Sequence, residues 1–121
     1  MVTSWPVRNR SKLRNIKTTV DGHKFDSKRE ANRYCELKLM QRAGEISDLE
    51  LQPQFVLQEA FRDAQGKHRR AIKYRADFRY TKGDKTIVED VKGHKTPLYL
   101  VKKKLLLKRL VSHKNTEFHE T

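Results

Sequence analysis

Ile72, Tyr74, Ala76, Phe78 and Tyr80 alternate with Lys73, Arg75, Asp77 and Arg79, the period of a half-buried strand, and predict one over residues 71–80. A turn at Gly83-Asp84, with glycine first as a type II′ hairpin wants, leads into a second strand over residues 85–92 that Gly93 ends. Upstream, residues 48–61 (DLELQPQFVLQEAF) mix apolar and polar positions as a strand, with Pro53 marking an edge or a bulge. Two helices frame these strands. Ser27 and Glu30 have the spacing of a capping box, so the first helix begins at Lys28, and Gly44 closes it. Thr96 caps the second, which has Pro97 at its first position and runs to about Ser112. Short β-prone runs around Asp21-Gly22 predict a hairpin over residues 18–25, and residues 116–120 (TEFHE) predict a last short strand. The order is a hairpin, then helix, three strands, helix and strand. It describes one α/β domain over residues 16–121, preceded by a basic, flexible arm over residues 1–15.

Charge changes the picture more than composition does. Of 121 residues, 28 are Lys or Arg and 15 are Asp or Glu, a net charge of +13. The excess is lopsided. Residues 91–116 contain Lys92, Lys95, Lys102, Lys103 and Lys104 among their cations and no acid, and the arm carries Arg8, Arg10, Lys12 and Arg14. Such a field attracts polyanions. The leucines and lysines of the second helix come in blocks that spread both kinds around it, so a membrane surface fits less well than nucleic acid. No apolar run approaches the ~20 residues of a spanning helix. The first residues lack a signal peptide's apolar core, and Cys35 is the only cysteine, so a reducing, cytoplasmic setting is expected.

Residues 88–93, VEDVKG, put three charges into a strand, where Asp, Glu and Lys are disfavoured. The hairpin register explains two of them. With Lys82 opposite Lys85, Tyr80 faces Ile87, Ala76 faces Val91, and Asp77 faces Asp90 with Cβ atoms ~5 Å apart. Arg75 and Lys92 then share the face of the two aspartates. Facing carboxylates need a cation, which neighbouring Lys and Arg or a divalent metal would supply; a salt-bridged, solvated sheet face is the plainer alternative. Glu30, in line with Tyr34 and Leu37 at i, i+4 and i+7, offers a third carboxylate, unless it serves only its capping box. Glu89 points away from Asp90, beside Phe78, as a structural charge. The second helix carries two apolar sides, Leu98, Val101 and Leu105 on one and Leu100, Leu107, Leu110 and Val111 on another. The surplus over one core stripe either enlarges the core or forms a homodimer contact, for which the N-terminal hairpin is the other candidate.

Taken together, "FDSKRE", "AGEISDLELQPQF", "YRADFRY" and "VEDVKG" resemble a family of small phage and prophage proteins with the PD-(D/E)xK nuclease fold, over roughly Val20 to Lys104. The resemblance implies a restriction-endonuclease-like αβββαβ core and Mg²⁺- or Mn²⁺-dependent hydrolysis of DNA phosphodiesters, in a superfamily that includes Holliday-junction resolvases. It implies Glu30 as the helical acid, Asp77 as the first strand acid, Asp90 as the second and Lys92 as the lysine. Ala76-Asp77 stands where the superfamily has Pro-Asp. Gln52 and Gln54 fall where related nucleases place a polar strand residue. The expected site therefore has Glu30, Asp77, Asp90 and the carbonyl of Val91 around the metal, with Lys92 assisting the attacking water or the developing charge. Lys28, Lys95, Lys102, Lys103, Lys104 and the arm would grip DNA, and His94 would stand near a phosphate. The alternative is a basic DNA-binding protein that keeps the fold without cutting.

Overall fold

A computed structural model describes residues 17–91 and 95–121. Arg8, Arg10, Lys12, Arg14, Lys92 and His94 lie outside the described residues, as does the basic arm.

The chain opens on the expected hairpin, β1 (Thr18–Val20) and β2 (His23–Phe25), with Val20 opposite His23. Asp21 and Gly22 take φ of 52° and 79°, the left-handed pair a type I′ turn requires. Helix α1 (Lys28–Arg42) starts where Ser27 Oγ accepts the Glu30 N–H at 3.1 Å, and Gly44, at φ 83°, follows its C-terminal end. Its buried face is Glu30, Ala31, Tyr34 and Leu37, and the Tyr34 hydroxyl donates to Asp21 Oδ2 at 3.1 Å, tying the hairpin to the helix.

The strand predicted over residues 48–61 is two strands, β3 (Ser47–Leu51) and β4 (Gln54–Gln58). A tip hairpin follows, β5 (Phe61–Arg62) with β6 (His68–Arg69). The strand predicted over residues 71–80 is likewise two, β7 (Ile72–Arg75) and β8 (Phe78–Lys82). Both long strands turn the same corner together. Pro53 and a left-handed Gln52 (φ 52°) break one strand, and Ala76-Asp77 break the other. Two bonds bridge the corner, Gln52 N–H to the Asp77 carbonyl at 2.9 Å and Ala76 N–H to the Pro53 carbonyl at 3.0 Å. Pro53 thus marks a corner as well as the edge position of β3.

After β9 (Lys85–Asp90), helix α2 (Pro97–Leu110) crosses over to β10 (Thr116–Glu120), which lies parallel to β9. The central sheet runs β10-β9-β8-β3, antiparallel except for that last pair. Its neighbours Ile87 and Val88 show the layering. Ile87 joins Phe25, Tyr34, Leu37, Phe78 and Tyr80 under α1, while Val88 joins Tyr74, Ala76, Tyr99, Leu106 and Leu110 under α2. The molecule is an α/β domain with one helix on each face of a mixed sheet. The β4–β7 ribbon extends from it and packs on α2 through Phe55, Leu57 and Tyr74.

Two packing expectations change. Ala76 does not face Val91: it packs on the α2 side and Val91 on the α1 side, because the corner interrupts the alternation between Tyr74 and Phe78. The buried stripe of α2 is Tyr99, Leu106 and Leu110, and Leu98, Leu100, Val101, Leu105, Leu107 and Val111 are all exposed. The surplus apolar residues therefore do not enlarge the core.

Candidate active site at the end of the sheet

The β8–β9 ladder keeps the predicted register from Lys82↔Lys85 through Tyr80↔Ile87 to Phe78↔Glu89. There the corner ends it, and Asp77 and Asp90 do not continue it as an ordinary cross-strand pair. Each aspartate is instead bonded to the other strand's backbone. Asp77 N–H donates to Asp90 Oδ1 at 2.9 Å, and Val91 N–H donates to Asp77 Oδ2 at 2.7 Å. Asp90 is fully buried, and its carbonyl is held by the Thr121 N–H at 2.9 Å. The Gln52 N–H fixes the Asp77 carbonyl in the same way. Gln52 thus contributes through its backbone, and it lines a surface depression with His23, Tyr34 and Gln41. Gln54 is exposed opposite Arg75.

Glu30 reaches this point from α1. It is 6% exposed, and its carboxyl is in hydrogen-bonding contact with that of Asp77. Burial, then the adjacent Asp77 charge, pushes its pKa from 4.5 up to about 8. At neutral pH Glu30 therefore keeps a proton that it offers to Asp77. The same carboxyl accepts the Asp26 N–H at 3.3 Å. Capping and site contact coexist in one side chain, with the capping bond one residue upstream of the usual box partner.

Behind Asp90 lies a second cluster that sequence reasoning missed. β10 sets Glu120 beside Asp90 in parallel register, so both side chains leave the α2 face of the sheet. Glu120 accepts a short hydrogen bond from the Tyr99 hydroxyl and pairs with Lys103 at 2.9 Å and Lys95 at 3.3 Å. The Tyr99 bond, then the two lysines, hold the Glu120 carboxyl down to about 2. Tyr99 is pushed up by burial, then by Glu120 and by the charges of Asp90 and Asp77, which places its hydroxyl in the field of the acidic site. The signal was in TEFHE, where Thr116, Phe118 and Glu120 alternate toward one face. Only the parallel register, set by the α2 crossover, shows which end of the strand meets Asp90.

Glu89 behaves as predicted from its facing. It is fully buried on the α1 side and takes Arg33 Nη2 at 3.0 Å, the Tyr80 hydroxyl at 2.7 Å and the Thr121 hydroxyl at 3.2 Å. These partners outweigh burial and hold its pKa below the ordinary value. Of the lysines expected on DNA, Lys28 and Lys104 are exposed and Lys102 is half-buried.

Carboxylate oxygens are hard donors that suit Mg²⁺ or Mn²⁺, and an ionised Glu30 beside Asp77 would set two like charges together that a cation would offset. Glu30, Asp77 and Asp90 supply donor oxygens of that kind. Their present arrangement is hydrogen-bonded rather than a closed cage: among the described residues no group of three His, Cys, Asp or Glu side chains stands ready around one point.

Residues 10–119 match the family described as protein of unknown function (DUF1064), and the chain belongs to that family. No curated protein and no solved structure matches it.

Proposed function

We propose that this family member is a Mg²⁺- or Mn²⁺-dependent endonuclease of the PD-(D/E)xK type, acting on DNA and selective for branched structures such as Holliday junctions. One observation carries the reading: the acids of three separate elements, Glu30 on α1, Asp77 at the corner and Asp90 on β9, gather at one end of the sheet, with Glu30 and Asp77 in contact. A structural role alone gives no reason to bury Glu30 against a second carboxyl group, because its capping bond needs only a rim position. The succession α1, β3, β8, β9, α2, β10 supports the restriction-endonuclease-like core, with the β4–β7 ribbon as an extension between its first two strands.

In this reading Glu30, Asp77 and Asp90, with the Val91 carbonyl, hold the ion. When bound, it lowers the pKa of a water and offsets the charge that builds on the phosphate. The chain's own part is placement. Asp77 is pinned by the Val91 N–H and by Gln52, and Asp90 by the Asp77 N–H, so the two acids move as one unit. Lys92 assists the water or the developing charge. Within the described residues no helix is long and apolar enough to cross a membrane, and a cytoplasmic protein, of a host cell if phage-encoded, fits the same reading.

The test is incubation with linear duplex, single-stranded, flap and four-way-junction DNA, with Mg²⁺, with Mn²⁺ and with chelator. Metal-dependent cleavage, strongest on the junction, is expected. Binding to all four substrates without cleavage under any metal condition would instead favour the non-cutting DNA-binding protein.

A further inference from the structure

The β4–β7 ribbon has one covered face and one free face. Phe55, Leu57 and Tyr74 cover the first against α2. Lys73 and Arg75 flank Tyr74 in sequence, so their side chains leave the opposite face, and both are exposed. They stand opposite Val56 and Gln54. Ala76 and Asp77 then form the corner between the ribbon and β8. Lys73 and Arg75 thus form a row with a step of ~6.7 Å, two residues of strand rise, on the ribbon that leads to the corner carrying Asp77.

Beyond this row the tip is also cationic. Residues 61–75 hold Arg62, Lys67, Arg69, Arg70, Lys73 and Arg75 against Asp63 alone. Asp63 builds the tip: it accepts the Gln65 and Lys67 N–H groups at 2.9 Å each and pairs with Arg69 at 3.0 Å, while Gly66 turns at φ 81°. Some cations elsewhere are matched, Arg33 to Glu89, Arg79 to Glu50, Lys85 to Glu117, and Lys95 and Lys103 to Glu120. Among the described residues, Arg70, Lys73 and Arg75 pair with no carboxylate. Phe61 sits exposed in this tip, opposite Arg69.

A two-stranded ribbon has the width that the major groove of duplex DNA admits. Unmatched cations on its free face complement a phosphate backbone, and an exposed aromatic at its end suits a base that has lost a stacking partner. We propose that the β4–β7 ribbon, with its β5–β6 tip, is the DNA-docking arm: Lys73 and Arg75 run along the phosphates toward Asp77, and Phe61 stacks on a base opened at a branch. The inference rests on the site acting on DNA, but its test needs no cleavage. It moves the principal grip from the arm and α2, where charge along the sequence places it, to a part of the fold that reads in sequence as ordinary strand.

The experiment is fluorescence anisotropy of the full chain in chelator, with labelled four-way junction and labelled linear duplex, over a range of salt. Lys73→Gln/Arg75→Gln changes two exposed side chains and leaves the melting temperature as it was. Its log–log salt slope should be shallower by about 2, near 0.9 per phosphate contact, and its affinity at moderate salt lower by about one to two orders of magnitude. Lys82→Gln/Lys114→Gln removes the same charge at the far end of the sheet and should leave slope and affinity near wild type. Phe61→Ala should reduce the preference for junction over duplex while keeping the slope. A ribbon variant that binds with the wild-type slope, or a control pair that loses as much, overturns the docking arm alone. Wild-type protein that binds neither DNA overturns the nuclease reading and the arm together.

Discussion

Glu30→Gln should make the metal-free protein more stable, and more so as the pH rises. Glu30 is buried against Asp77, and its carboxyl ionises at about 8 instead of 4.5. A group raised in the folded state contributes stability that is fully present below its unfolded value and is lost as pH rises through its folded value. The window here is 4.5 to about 8, a span of 3.5 pH units. At ~1.4 kcal/mol per unit the ceiling is about 5 kcal/mol. Relaxation of the carboxylates and entry of water reduce this, and about 1–3 kcal/mol is the expected difference. Gln can still accept the Asp26 N–H, so the helix cap survives, and it can donate to Asp77 at every pH. Urea unfolding at pH 5, 7 and 9 measures the effect. Wild type and variant should be close at pH 5, with the variant ahead by about 1–3 kcal/mol at pH 9, or roughly 3–10 °C in melting temperature for a domain of this size. Mn²⁺ should restore the wild type at pH 9 and leave the variant almost unchanged. A gap independent of pH would refute the argument, because it would mean that no carboxylate is being forced to ionise beside Asp77.

Arg33→Ala should destabilise the fold by about 3 kcal/mol in urea unfolding, the low end for breaking a buried pair, because Tyr80 and Thr121 still satisfy Glu89; an effect below ~1 kcal/mol would mean the pair is already open to water. Since Glu89 is held low, the advantage of Arg33 should be present above pH ~4.5 and fade as pH falls through the Glu89 folded value. Glu120→Gln releases Lys95 and Lys103 from their carboxylate, so DNA binding should tighten and its salt slope steepen by about 1–2; an unchanged slope would place both lysines away from the DNA. We propose a homodimer contact through Leu98, Val101 and Leu105, one of the two apolar sides that α2 leaves exposed. Sedimentation equilibrium at micromolar concentration should show a dimer that Val101→Lys/Leu105→Lys disperses, and a wild-type monomer would exclude a stable preformed pair.

Local chemistry was legible where a residue type forces a conformation. Asp21-Gly22, the Ser27 cap, Gly44 and Thr96-Pro97 each did so, and the predicted bounds of the hairpin and both helices stand close to the observed ones. The β8–β9 register was legible because Gly83-Asp84 fixes the turn and Tyr80↔Ile87 fixes the face. The corner was not. The alternation from Ile72 to Tyr80 is unbroken in sequence, and the reversal at Ala76-Asp77 follows from Gln52 and Pro53 on the neighbouring strand, a tertiary cause. The same corner holds Asp77 to the Val91 N–H and to Glu30 rather than squarely opposite Asp90. Glu120 was hidden for a related reason, because a parallel pairing leaves no turn from which to count. On α2 the blocks of leucine and lysine conceal which stripe is buried, and Tyr99 leads it.

Cleavage of a labelled four-way junction by wild type, Asp77→Asn and Asp90→Asn, purified side by side and assayed with Mn²⁺ at equal junction occupancy, tests the proposed metal site most directly. Asn keeps the size of each side chain and an oxygen for the backbone N–H, but it removes the charge that would hold the ion. The prediction is cutting by wild type alone, with both variants still bound to the junction. Cutting by Asp90→Asn at the wild-type rate would contradict the site.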